Sequence, residues 1–139
     1  MPAIRKINHL AVVVSDMEAA LAFWRDALGI PLAEMRDVPT EAAQVAFLPL
    51  ADSEIELVLP TSEESGLAKY LAKRGPGMHH LCLEVDDLVG MLRQLKEKGI
   101  RLINEEPRSS ADGKKYAFIH PESTHGVLVE LYEIPAATE

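Results

Sequence analysis

From Ile4 to Val14 apolar residues recur among polar ones and end in the run Leu10–Val14, a strand pattern. Ser15 or Asp16 then offers a helix cap. Met17, Ala20, Leu21 and Trp24 recur at helical spacing through about Leu28, and Gly29 supplies the stop. Three short strand patterns follow, near 31–37, 44–50 and 53–59. The polar linker Pro60-Thr61-Ser62-Glu63-Glu64-Ser65 leads to a short helix near 66–73, ended by Gly75-Pro76-Gly77. The order then starts again: a strand over 78–85, a helix over 87–98 closed by Gly99, and strands near 101–105, 115–120 and 126–133.

The second half repeats the first in residues as well as in pattern. His9/His80, Leu10/Leu81, Val14/Val85, Asp16/Asp87 and Leu21/Leu92 all stand 71 positions apart, as do Val45-Ala46-Phe47-Leu48 and Tyr116-Ala117-Phe118-Ile119. Each half reads βαβββ. Three consecutive strands after each helix exclude a doubly wound parallel sheet, and neither small sheet could bury its apolar face alone. The expectation is one α+β domain over 1–139. Module 1 covers about 4–60, a linker and short helix 61–76, and module 2 about 77–134, paired into a curved, partly closed eight-stranded barrel.

Bulk properties narrow the function. Apolar residues at 47% and charged residues at 26% describe an ordinary globular chain. A net charge of -8 argues against nucleic acid as a partner, since that needs a concentrated basic face. No stretch reaches the length of a transmembrane helix, and the first residues lack a signal-peptide layout, so no membrane partner is expected. Cys82 alone permits no internal disulfide and reads as a small core residue. A cytoplasmic setting follows as the expectation.

The repeat selects a set of metal ligands. Strand parity puts His9 with Ile7, Ala11 and Val13, and His80 with Met78 and Cys82, while His79 points the other way. The last strand of each module carries one carboxylate inside an apolar run, Ile55-Glu56-Leu57 and Val129-Glu130-Leu131. A carboxylate among such residues is costly unless paired, protonated or metal-bound. His9, Glu56, His80 and Glu130 therefore form a two-His, two-Glu set. Mixed imidazole and carboxylate donors suit one divalent ion per chain, Co, Mn, Ni or Zn, with positions left for substrate. His120 and His125 read as loop residues, with His125 able to border a pocket.

These phrases resemble the vicinal oxygen chelate (glyoxalase/bleomycin resistance/dioxygenase) superfamily, and within it the methylmalonyl-CoA epimerases. The most specific stretches are His9-Leu10-Ala11-Val12, Val45-Ala46-Phe47-Leu48-Pro49-Leu50, Gly66-Leu67-Ala68-Lys69-Tyr70-Leu71, Gly77-Met78-His79-His80-Leu81 and Phe118-Ile119-His120-Pro121. The resemblance implies interconversion of (2R)- and (2S)-methylmalonyl-CoA through a metal-stabilised enolate, in a homodimer. It implies that Glu130 is a metal ligand and one catalytic base, and that the second base precedes the third strand. Two rival readings share the fold: a glyoxalase I-like enzyme acting on a glutathione hemithioacetal, and a metal-free small-molecule binder.

The chain departs from the family at informative places. Family members read Glu-Gln-Gly or Glu-His-Gly seven residues before the Phe of the third strand, whereas here Thr40-Glu41-Ala42 stands there. Glu41 is the candidate second base. Glu122-Ser123-Thr124-His125-Gly126 replaces a Lys-Ser-Thr-Gly-Gly turn, which makes Ser123, Thr124 and His125 candidates for substrate contact. Lys69, Arg74, Lys114 and Lys115, with Lys73 and Arg108, are candidate partners for CoA phosphates.

Overall fold

Asp16 does begin the first helix. In a computed structural model of the chain, which describes residues 1–110 and 112–134, its carboxylate accepts the Ala19 backbone N–H at 3.1 Å. Helix α1 (Met17–Leu21) then widens into a π-type turn over Ala22–Ala27. Gly29, at φ +82°, ends the run where a side chain would be strained. Ser65 and Asp87 cap α2 (Gly66–Arg74) and α3 (Leu88–Glu97) in the same way.

The strands are β1 (Ile4–Val13), β2 (Glu34–Val38), β3 (Ala43–Leu50), β4 (Ser53–Pro60), β5 (Gly77–Val85), β6 (Arg108–Ser109), β7 (Lys115–Ile119) and β8 (Val129–Glu133). The chain divides into two compact units. One runs from His9 to His79; the other joins the first eight residues to the chain from His80 onward. Both boundaries fall at the duplicated histidines. In the first unit the strand order is β2-β3-β4-β1. In the second, the N-terminal part of β1 is followed by β5-β8-β7-β6.

The α+β class and both βαβββ orders are as expected, and the sheet is mixed. β1 runs parallel to β4 and β5 parallel to β8, while β2 and β3, β3 and β4, β6 and β7, and β7 and β8 pair antiparallel. Parity sends one face of each sheet to its helix. In the first unit Ala46, Leu48, Ile55 and Leu57 pack with Met17 and Leu21 of α1. In the second, Ala117, Ile119 and Leu131 pack with Leu88, Met91 and Leu92 of α3. The opposite faces are left to carry chemistry.

One strand is not where the pattern put it. Over 101–105 only Leu102 forms a bridge, to Ile119, and the strand beside β7 is the two-residue β6. The cause is a side chain: Asn104 Oδ1 accepts the Phe118 backbone N–H at 2.9 Å, taking the place of a ladder carbonyl. Leu102 and Ile100 keep their inward positions against the core, so the alternation was read correctly but does not extend into a ladder. The polar tail from Pro135 lies outside the described residues.

Candidate metal and substrate site

Each unit builds one histidine–carboxylate pair on the sheet face opposite α1 or α3. In the first unit His9 Nδ1 lies 3.1 Å from Glu56 Oε2, and the two side chains are 8% and 15% exposed. In the second, His80 Nε2 lies 3.1 Å from Glu130 Oε1, at 13% and 11% exposure. Among the described residues His9 and Glu130 are the buried polar or charged side chains, in a core otherwise apolar.

Register explains why the pairs form. Glu56 sits opposite Ala11 on β1 and opposite Phe47 on β3. Glu130 sits opposite Cys82 on β5 and opposite Phe118 on β7. Ala11/Cys82 and Phe47/Phe118 are both 71 apart, so the two environments are built from equivalent positions. In the second unit the Phe118 ring also stands edge-on to His80, with centroids 5.6 Å apart. The shared 71-residue offset is the sequence signal that finds the Phe pair.

The donor chemistry fits a divalent ion. Two ligands bound at about 2.1 Å and at right angles stand roughly 3 Å apart, close to the 3.1 Å in each unit. With no thiolate in the set, borderline and hard ions are favoured over a structural zinc knot. Cys82 is fully buried in the second unit, as a small core residue should be.

Other candidates fall into place by element. The His79 ring stands edge-on to Tyr70 of α2, with centroids 4.7 Å apart. Glu41 is exposed on a 3-10 turn, Pro39–Glu41, closed by Ala42 at φ +50°. A left-handed conformation costs an alanine more than a glycine, so the turn holds Ala42 under strain. Lys69, Lys73 and Arg74 are exposed on α2, with the Arg74 guanidinium 5.4 Å from the Tyr70 ring centre.

The loop before β8 is tied to itself. Ser123 Oγ accepts the Arg101 backbone N–H at 2.8 Å, and Thr124 Oγ1 donates to the Pro121 and Val127 carbonyls. His120 Nδ1 accepts the Glu122 N–H at 3.0 Å. His125 is exposed and holds φ +63°, again a left-handed position that the family gives to glycine. Lys114 and Lys115 separate by parity. Lys115 shares the face of Ala117 and Ile119, whereas Lys114 Nζ lies 5.7 Å from the Tyr132 ring centre. Asp112 Oδ2 is 3.2 Å from that ammonium. The Ser110 hydroxyl, donating to Asp112, holds its carboxyl near pKa 2 with help from Lys114.

Comparison with known proteins agrees with this architecture. Residues 8–118 match the model of the glyoxalase/bleomycin resistance protein/dioxygenase superfamily. The chain is 41% identical over 127 residues to a mitochondrial methylmalonyl-CoA epimerase of Bos taurus, covering 91% of this chain and 73% of that protein. It is 39% identical over 133 residues to an ethylmalonyl-CoA/methylmalonyl-CoA epimerase of Cereibacter sphaeroides, covering 94% and 99%. A solved methylmalonyl-CoA epimerase in complex with methylmalonyl-CoA and ammonium superposes with a TM-score of 0.84 at 30% identity, covering 96% and 97% of the two chains. By repeat, by register and by relatives, the chain belongs to the glyoxalase/bleomycin resistance protein/dioxygenase superfamily.

Proposed function

We propose that the protein is a metal-dependent epimerase interconverting (2R)- and (2S)-methylmalonyl-CoA. The observation that carries this reading is the pair of largely buried His–Glu contacts at equivalent registers, in a chain about 40% identical to epimerases of that substrate. His9, Glu56, His80 and Glu130 would together hold one divalent ion, Co, Mn, Ni or Zn. When bound, such an ion supplies Lewis-acid stabilisation of charge developing on the thioester oxygen.

The chain's own residues do the rest. Glu130 is buried between its register partners Phe118 and Cys82, where little water competes for its carboxylate. It takes the α-proton from one face of the substrate carbon and returns it in the reverse reaction. Inversion needs a second group on the opposite face of the planar enolate, and Glu41 on its turn is that group. Phe118, edge-on to His80, holds that imidazole beside the Glu130 carboxylate. Ser123 and Thr124 act by shaping the loop before β8, and His125, Lys69, Arg74, Lys114 and Lys115 supply contacts to the CoA ester.

The enzyme would work as a homodimer of about 31 kDa, twice 15.3 kDa, as the family resemblance implies. The single buried cysteine supports a cytoplasmic setting. The test is epimerisation of (2R)-methylmalonyl-CoA by chelated and by metal-reconstituted protein, beside methylglyoxal with glutathione. Turnover of the CoA ester only after reconstitution is expected. Turnover of the glutathione adduct alone would establish the glyoxalase I-like reading, and failure to take up any divalent ion would establish a binder.

A further inference from the structure

The two units join their last two strands differently. In the first, Ala51 and Asp52 alone link β3 to β4; in the second, residues 120–128 separate β7 from β8. The offset between equivalent residues rises from 71 on β3 and β7 to 74 on β4 and β8, so the second unit has inserted three residues here. Antiparallel strands can be joined by a two-residue turn. The insertion therefore calls for a reason other than reversing the chain.

The inserted loop is tied down, and His120 is the centre of the ties. Its N–H donates to the Arg101 carbonyl at 2.9 Å, and its carbonyl accepts the Ser123 N–H at 3.0 Å. Its Nδ1 accepts the Glu122 N–H at 3.0 Å. A ring nitrogen that accepts carries no proton, so this imidazole is neutral, with its hydrogen on Nε2. The Arg101 N–H donates in turn to Ser123 Oγ at 2.8 Å, and the Gly126 N–H closes the loop on the Pro121 carbonyl at 2.8 Å. His125 is thereby held at φ +63°, a conformation that a loose loop would relax. The Arg101 guanidinium also meets Glu122 at 2.7 Å, but both side chains are more than half exposed and that ion pair contributes little.

These ties end where the chemistry is held. His120 directly follows Ile119, the register partner of Val129, and the next rung pairs Phe118 with Glu130. Glu130 is the second residue of β8, one rung from the tied loop. A loop free to swing would carry Val129 with it, and a misplacement of about 1 Å at a reacting group can cost roughly 100-fold in rate.

We propose that His120 is a positioning residue: its neutral ring latches the inserted loop to the Arg101 backbone and so fixes Glu130 at the start of β8. This rests on the proposed function above. Neither His120 nor Arg101 touches substrate in that reaction; they act through Glu130.

Asparagine and glutamine separate the latch from side-chain bulk. Asn Oδ1 falls where the imidazole has Nδ1 and is a favoured cap, whereas the Gln amide extends to the Nε2 position and leaves the Glu122 N–H without its acceptor. Amide exchange by NMR and steady-state kinetics on the metal-loaded full chain read the difference. In His120→Gln the Glu122 amide should exchange about fivefold faster than in wild type, the scale of a lost cap. Its kcat for the CoA ester should fall about five- to tenfold while KM stays within about twofold. His120→Asn should match wild type in all three readings, and so should Arg101→Ala, which removes only the exposed ion pair. Wild-type kcat in folded His120→Gln, an equal loss in His120→Asn, or a change confined to KM would overturn the proposal. Should the wild type not epimerise, calorimetric cobalt affinity replaces kcat, since Glu130 is also a proposed ligand. A loss in His120→Gln that His120→Asn restores would then keep the latch and discard the reaction, whereas equal affinity in all three proteins would discard the latch.

Discussion

Replacing Glu56 by Gln removes a charge while keeping the volume and an oxygen near His9, so it isolates what the carboxylate does. Glu56 and His9 are 15% and 8% exposed and 3.1 Å apart. Without metal, the loss is at most that of one charge-assisted hydrogen bond, about 1.5–3 kcal/mol. With metal the effect grows through linkage. At an ion concentration 100 times Kd, a ligand that binds only the folded state stabilises it by about 2.7 kcal/mol. Unfolding entropy of about 2.1 cal/mol/K per residue gives roughly 0.29 kcal/mol/K for 139 residues, so the ion should raise Tm by about 9 °C. Losing one ligand should weaken binding at least 100-fold, since even outer partners of metal ligands cost about 10- to 100-fold. At the same ion concentration the variant would then gain only about 0.4 kcal/mol, or near 1.5 °C. Thermal melts of chelated and reconstituted wild type and Glu56→Gln measure this directly. An equal shift of about 9 °C in both proteins would remove Glu56 from the ligand set.

Three further outcomes follow from particular residues. Glu41→Gln should leave metal uptake unchanged and lower kcat by at least about 100-fold, the usual share of a general base, whereas Glu130→Gln should lose both and Thr40→Ala neither; steady-state kinetics with metal analysis separates them. Ala42→Gly should raise stability by about 0.5–1 kcal/mol, because relief at φ +50° outweighs the extra chain entropy; denaturant titration reads the sign, and a loss would mean that the turn is not strained. Asp112, held near pKa 2 against the usual 3.8, contributes stability that is present above about pH 4 and lost as pH falls through 2. Melts of wild type and Asp112→Asn should accordingly differ at pH 5 and converge near pH 2.

The duplicated histidines made most of this legible. A 71-residue offset identified the βαβββ order and placed His9 and His80 at equivalent points, and parity separated His80 from His79, which the structure packs on Tyr70. Glu56 and Glu130 could be read because a carboxylate inside Ile-Glu-Leu or Val-Glu-Leu has to be explained. The strand expected over 101–105 was misplaced because alternation reports which side chains face inward, not which N–H groups remain available. Asn104 takes the Phe118 N–H and ends the ladder there. The π-type turn in α1 was equally invisible, since Phe23 and Trp24 fit either helical period. The loop around Glu41 resisted reading for another reason. Its register depends on the left-handed Ala42, and nothing in an alanine announces a positive φ.

In the proposed reaction the two duplicated His–Glu pairs serve proton transfer at the α-carbon of a CoA thioester. Exchange of the methylmalonyl-CoA α-hydrogen in D₂O, followed by NMR with chelated and with reconstituted protein, reads that step itself. Deuterium should enter at the α-position only when metal is present, and the rate should collapse in Glu130→Gln. Exchange that proceeds unchanged after chelation, or no exchange in the reconstituted wild type, would contradict the account.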